Sequence, residues 1–368
     1  MTERLWSDTP RVLFVTSNTP DICTLWRCWW PTYELRARGY TADFIQYKDL
    51  HSLYSLLDYG RYTTVVTPRM VFDNFDDERN WIDTINRYRD RVSWWYDIDD
   101  DLISEEFVER QVDVTKSLTV TDEHSELVRR SEFQRRSRLR LIEQCDGVTT
   151  GSTVLENMVK PLTTGIVKRV PNGINHRFFE ENRSSIDRVV PEFTIGWSGG
   201  PRLERDLEPL YEVWPAIAAQ FPQVHFVLQG WAPSKLANLL PPERVRVIGG
   251  VPIEQYPSIL KNIDVFCCVA TDEQFVRAKT PIKHFEAAVT GATTVASLPL
   301  YGEVIQQAHD GLIATTPNDW FNHLSYLLKN PEMCVMLPKR AYENVMANHT
   351  IAQTYTKWLS TWAMTPLR

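Results

Sequence analysis

Apolar, β-rich runs alternate along this chain with longer stretches of helical pattern, and the alternation comes in two series. The first series holds Val12-Leu13-Phe14-Val15, Phe44-Ile45, Thr64-Val65-Val66, Val92 to Tyr96, Gly147-Val148-Thr149 and Ile166-Val167. Repetition of strand, helix, strand implies parallel βαβ units. It stops at residues 171–191, PNGINHRFFEENRSSIDRVVP, where turn chemistry mixes with charge as in a linker. A second series follows: Phe193 to Gly196, Val224 to Leu228, Val245 to Ile248, Val265 to Val269, Thr293 to Ala296 and Leu312-Ile313. The expectation is an α/β chain of two Rossmann-like, doubly wound parallel-sheet domains facing a cleft. Length agrees, because single cores stop growing beyond roughly 250–300 residues and this chain has 368. The expected boundaries are 1–174, 175–345, and a C-terminal helix within 346–368 that packs back across the domains. That last stretch, Ile351 to Trp362, is amphipathic and carries Tyr355, Trp358 and Trp362.

Several classes are excluded at this level. No apolar run approaches the roughly 18–20 residues of a membrane span, and MTERLWSDTPR lacks a basic start followed by an apolar stretch. A cytoplasmic protein is expected, bacterial or in the host cytoplasm if phage-encoded. The six cysteines lack paired metal-type spacing and read as free thiols of a reducing compartment. A net charge of −7 argues against a strongly basic nucleic-acid binder.

Ligands of open parallel sheets bind beyond the carboxyl ends of the strands, so chemistry is sought there. After the strand FTIGW comes Ser198-Gly199-Gly200-Pro201-Arg202-Leu203-Glu204-Arg205. Gly199 and Gly200 would let backbone N–H groups approach an anion, and Arg202 or Arg205 could bind a diphosphate. A tight turn with surface arginines is the alternative. Further on, Ala278-Lys279-Thr280-Pro281-Ile282-Lys283-His284-Phe285-Glu286 opens a helix that Gly291 should close. Phosphates favour such an N-terminus, where free N–H groups and the dipole act together. Glu286, about one and a half turns in, could accept both hydroxyls of a ribose, or be an ordinary solvated glutamate.

The run KxxEAAxxGxxxVAS, from Lys283 to Ser297, resembles the donor-site helix of the retaining glycosyltransferase superfamily of GT-B fold, the group 1 or family 4-like enzymes. Three passages match in order: Val170-Pro171-Asn172-Gly173-Ile174, the pair Val224 to Gly230 and Val247 to Pro252, and Ile263-Asp264-Val265. The resemblance spans about Asp146 to Ser297 and implies a nucleotide-sugar donor, a UDP-sugar ahead of a GDP-sugar, with no cofactor or metal required. It implies that Glu286 holds the donor ribose, that Arg205 takes the place of a phosphate-binding lysine or arginine, and that the amides of Thr280, Pro281 and Ile282 mark the diphosphate position. Val251 and Tyr256 would lie near the base. Many members carry a glutamate eight residues before the one matched by Glu286; here that position is Ala278. The neighbouring Lys279 and Lys283 could meet phosphate or sugar hydroxyls, or be solvated.

On the N-terminal side, Trp94-Trp95-Tyr96-Asp97-Ile98-Asp99-Asp100-Asp101 sets four carboxylates just past a strand. Clustered carboxylates raise one another's pKa, so Asp97, Asp99, Asp100 and Asp101 are candidates for acceptor contact or catalysis. Helix capping and binding of a divalent ion are the alternatives. The first loop, with Trp26, Arg27, Cys28, Trp29, Trp30 and Pro31, resembles a pattern found in some glycosyltransferases, predicted bacteriophage ones among them. Arg27 and Trp26 are candidates for the acceptor side, with core packing the alternative for the tryptophans. The arginine-rich stretch LVRRSEFQRRSRLR, Leu127 to Arg140, reads either as a solvated helix or as a phosphate-tracking patch for DNA.

The expected function is retaining transfer of a sugar from a nucleotide-diphosphate sugar to a hydroxyl acceptor, a glycan or a small molecule, with Arg205 and Lys279 stabilising the leaving group. One alternative is a phage enzyme that glycosylates hydroxymethylated pyrimidines in DNA. Another, suggested by Ala278, is a non-catalytic nucleotide-sugar binder.

Overall fold

A computed structural model describes residues 9–16, 22–48, 50–118, 124–180, 193–200, 203–231 and 234–364. All twelve expected strands form, because runs that are apolar on both faces suit parallel strands covered by helices. In the first sheet they are β1 Val12–Thr16, β2 Ala42–Gln46, β3 Thr64–Pro68, β4 Ser93–Ile98, β5 Gly147–Thr150 and β6 Ile166–Arg169. In the second they are β7 Phe193–Gly199, β8 Val224–Gly230, β9 Val245–Ile248, β10 Val265–Cys268, β11 Thr293–Ser297 and β12 Leu312–Ala314. The orders are β2-β1-β3-β4-β5-β6 and β12-β11-β10-β7-β8-β9. Every pairing is parallel.

Each order reverses once. In the first sheet the chain turns back between β1 and β3, and in the second between β7 and β10. Such switch points open a crevice at the carboxyl ends of the strands.

The chain divides into two compact units. One holds Met1–Gly173 with Ala278–Thr280 and Ile351–Arg368; the other holds Ile174–Arg277 with Pro281–Thr350. The core of the first includes Val12, Phe14, Val66 and Trp95, closed by Trp358 and Trp362 of the helix Ile351–Trp362. Trp362 meets Phe14 edge-on with centroids 5.7 Å apart. The core of the second gathers Ile195, Trp214, Phe226, Val265, Val295 and Trp320. The segment expected to be a linker forms a helix, His176–Glu180, and a parallel bridge from Ile174 to Thr350; 181–191 lie outside the described residues. Among the described residues no helix is long and apolar enough to cross a membrane.

Candidate functional site

In the second unit the helix Ile282–Thr290 starts at Pro281, whose φ of −79° suits the position, and ends on Gly291 at φ 87°, where a left-handed residue is needed. Its sequence is apolar on the side facing the sheet, and every residue from His284 to Thr290 is buried. Glu286 is buried with them, at 2% exposure. It is therefore no solvated helix glutamate. Its Oε2 accepts hydrogen bonds from Lys283 Nζ at 2.9 Å and from the Tyr256 hydroxyl at 2.8 Å. Lys283 also donates to the Tyr256 oxygen at 2.8 Å. Ser198 at the end of β7 lies 3.1 Å from that hydroxyl and 2.5 Å from Gln229 Oε1 of β8. Burial alone would depress Lys283, but Glu286 and Tyr256 overturn it and hold the ammonium charged. Burial, and then the carboxylate, push the Tyr256 phenol up, so it stays a donor. The expectation that Tyr256 lies by a base did not include this network; its bonds bring together residues from four elements.

Around this core the other expected donor residues are distributed as follows. Gly199 is the last residue of β7, and its carbonyl accepts from Trp231 N at 3.0 Å. Gly230, at φ 91°, makes that approach possible: a Cβ there would stand 2.1 Å from the Gly199 oxygen. Gly200 is exposed with open space beside it, and Arg202 lies outside the described residues. Arg205 sits half-exposed in the 3₁₀ turn Glu204–Leu207, its Nε 3.0 Å from Glu273 Oε1. Because Arg205 follows β7 and Glu273 follows β10, this pair lies at the switch point of the sheet. Val251 is half-buried in the loop after β9.

Lys279 and Thr280 group with the first unit. Ser152 donates to the Ala278 carbonyl at 2.6 Å, and Asn172 Nδ2 donates to Thr280 Oγ1 at 2.8 Å. Lys279 Nζ lies 2.9 Å from Asp100 Oδ1. Arg69, at φ 48° directly after β3, pairs with both Asp99 and Asp100. Burial acts to raise Asp100, but Lys279 and Arg69 outweigh it and bring its carboxyl down to about 2. Asp99, with burial the larger influence and Arg69 opposing it, is held above the usual carboxylate range. The two neighbours are thus split in acidity, as paired carboxylates with different jobs often are.

Three residues expected at the acceptor side are buried within the first unit. Asp97 belongs to β4 itself rather than to the loop after it, and both it and Arg27 are wholly buried. Arg27 Nε and Nη2 bind Asp97 Oδ1 and Oδ2 at 2.9 and 2.5 Å, and Nη1 donates to the Val170 carbonyl and Asn172 Oδ1, both at 2.8 Å. The guanidinium also faces the Trp358 ring at 4.4 Å. Thr149 Oγ1 donates to Asp97 at 2.5 Å. The π-helical turn Leu25–Trp29 turns Arg27 inward with its neighbours. Trp26, 2% exposed, packs edge-on against Trp30 at 4.7 Å. These three side chains are packed inside the unit.

Asp101 follows the capping alternative, its Oδ1 accepting from Ile103 N and Ser104 N at 3.2 and 3.0 Å ahead of the helix Glu105–Leu118. On the helix His124–Gln144, Arg129, Arg130, Arg135, Arg136 and Arg140 each pair with a carboxylate. That pairing weakens the case for a phosphate-tracking stripe.

Residues 192–330 match the family model described as "Glycosyl transferases group 1". No curated protein matches the chain. Among solved structures, HepE of Anabaena in complex with UDP and glucose is 13% identical with a TM-score of 0.64, the match covering 97% of this chain and 100% of that one. Sucrose-phosphate synthase of Thermosynechococcus elongatus is 15% identical with a TM-score of 0.61, covering 95% and 97%. TarM of S. aureus is 13% identical with a TM-score of 0.55, covering 84% and 58%. At these identities the likeness speaks for the fold, and the family model speaks for the second unit. Residues 192–330 are thus a glycosyl transferases group 1 domain, and the chain that carries it is a glycosyltransferase of the GT-B fold.

Proposed function

We propose that the chain transfers a sugar with retention of configuration from a UDP-sugar to a hydroxyl of a glycan or small molecule, residues 175–345 handling the donor and 1–174 the acceptor. The observation that carries this reading is the buried Glu286. Its Oε2 is tied to Lys283 and Tyr256, and its Oε1 takes no bond from either, so one carboxylate oxygen stays positioned for hydroxyl donors by a charged, rigid frame. A ribose offers two such hydroxyls. A UDP base is favoured over GDP by HepE, which was crystallised with UDP and with UDP-glucose.

In this reading the backbone N–H groups of Thr280 and Ile282 and the Arg205 guanidinium receive the diphosphate, and Lys279 meets the phosphate or the transferred sugar. Charge that develops on the leaving phosphate is stabilised by these fixed donors, while the acceptor oxygen attacks the face the phosphate leaves. Asp99, kept above the usual carboxylate range, is the carboxylate of the cluster best suited to exchange a proton with an acceptor hydroxyl. No metal or cofactor is needed for these steps.

Release of UDP from UDP-glucose, with and without glycan acceptors, tests the reading, and NMR of the product's anomeric proton tests the stereochemistry. Turnover with GDP-sugars alone would overturn the donor assignment, and an inverted product would overturn retention. Donor binding without hydrolysis or transfer to any acceptor would overturn the catalytic role of these residues.

A further inference from the structure

The first unit holds a cavity of about 230 Å³ that none of the assigned residues except Arg69 reaches. It is lined by Thr24 after β1, Arg69 after β3, Leu102 and Gln111 after β4, and Gln134 and Arg138 of the helix His124–Gln144. It therefore opens at the carboxyl ends of β1, β3 and β4, on the switch point of its sheet, where doubly wound folds bind ligands.

Arg138 sets it apart. The residue is 6% exposed, yet its Nε and Nη1 have no hydrogen-bond partner. Its five neighbours in the arginine-rich run all pair directly with carboxylates; Arg138 has the Phe107 ring at 5.3 Å, a hydrogen bond with the Tyr96 phenol, and Asp73 only as a charge acting without a direct bond. A guanidinium cannot shed its proton at ordinary pH, so a buried one with two of its nitrogens unbonded is tolerated where a counter-charge arrives. Gln111 adds an amide to the wall beside Arg138, while Arg69 is paired there with Asp99 and Asp100 and the Gln134 amide with Asp73, so Arg138 is the lining cation with unbonded N–H groups to offer an anion. No carboxylate lines the cavity, and Asp73, whose charge acts on Arg138, is already held by Gln134 at 3.0 Å and by Arg130 at 3.3 Å.

We propose that this cavity is a subsite for an oxyanion, a carboxylate or a phosphate, carried by the acceptor, with Arg138 as its principal ligand. The proposal rests on reading the first unit as the acceptor side. The enzyme then selects acidic acceptors, such as a uronic acid or a phosphorylated glycan, over neutral ones.

The test is thermal unfolding of the full chain with inorganic phosphate, D-glucuronate or D-glucose at matched ionic strength, in the wild type, Arg138→Lys and Arg138→Met. Phosphate or glucuronate should raise the midpoint of the wild type and glucose should not, the stronger of the two anions naming the group. Arg138→Met should weaken that anion about tenfold or more, and Arg138→Lys should keep part of the effect. UDP should stabilise all three proteins equally, so a failure of UDP to bind strikes the donor reading and leaves the anion result standing. In transfer assays the anion should compete with the acceptor and leave donor hydrolysis unchanged. An anion with no more effect than glucose on the wild type overturns the proposal even if Arg138→Met fails to fold. Undiminished binding by a folded Arg138→Met, or an anion that binds without competing with acceptor, overturns it as well.

Discussion

Arg27 grips Asp97 through two parallel hydrogen bonds, with neither side chain exposed. The same guanidinium ties down Val170, Asn172 and the ring of Trp358. A buried ion pair of this kind need not stabilise relative to apolar residues, but losing one partner leaves the other charge stranded. Arg27→Ala or Asp97→Ala should each cost about 3–5 kcal/mol in urea unfolding. The double variant should cost much less than the sum of the two. Equal additive losses would mean that the pair is uncoupled.

Glu286→Gln keeps the shape of the side chain and removes its charge, so Lys283 loses its counter-ion and the proposed ribose contact loses an ionised acceptor. UDP affinity should fall about tenfold or more, read by calorimetry. Lys283→Met should fall with it, because the lysine holds the carboxylate in place. Unchanged UDP affinity in both variants would detach this network from the donor.

Lys279→Ala and Arg205→Ala test leaving-group stabilisation. Removal of one preorganised donor to developing charge typically costs about a hundredfold or more in kcat. The expectation is a lowered kcat for Lys279→Ala at saturating donor. Arg205, half-exposed and shared with Glu273, should show more of its loss in KM for donor. A Lys279→Ala enzyme of wild-type kcat would assign the lysine to its bond with Asp100 alone.

Acid should weaken the second unit through His284. Burial, with His349 nearby, lowers its pKa to about 3, so the folded chain refuses a proton that the unfolded chain takes up near 6.5. The unfolded state binds more protons between those values, and stability therefore rises with pH across that window and is fully present above it. Denaturation followed from pH 7 to pH 4 should lose up to about 1.4 kcal/mol per pH unit from this group. His284→Gln should flatten that part of the profile; an unchanged slope would point to other groups.

Strand positions were legible because a parallel strand buried on both faces must be apolar throughout, a signal that survives without knowledge of its neighbours. The helix Ile282–Thr290 was legible for a similar reason, since Pro281 and Gly291 bound one local element. Asp97 was misread because its partner, Arg27, lies 70 residues away, and nothing local separates a carboxylate inside a strand from one just beyond it. Arg138 could have been found. Leu127, Ser131, Arg138, Leu141 and Ile142 recur at helical spacing and are all buried, so periodicity places that arginine on the inward stripe. Counted among six arginines in a charged run, it looked like the others.

The closure of the first core by Trp358 and Trp362 has a consequence for how the protein is made. Residues that pack against Phe14 and Arg27 leave the ribosome only after every strand of the second unit. The first unit to be translated is therefore the last to be completed: the second unit has all of its strands and its core while β1 still waits for its covering helix. The order of assembly runs opposite to the N-to-C order usual for multidomain chains, and the waiting strands of the first unit are the stretch most exposed to chaperones and to mispairing.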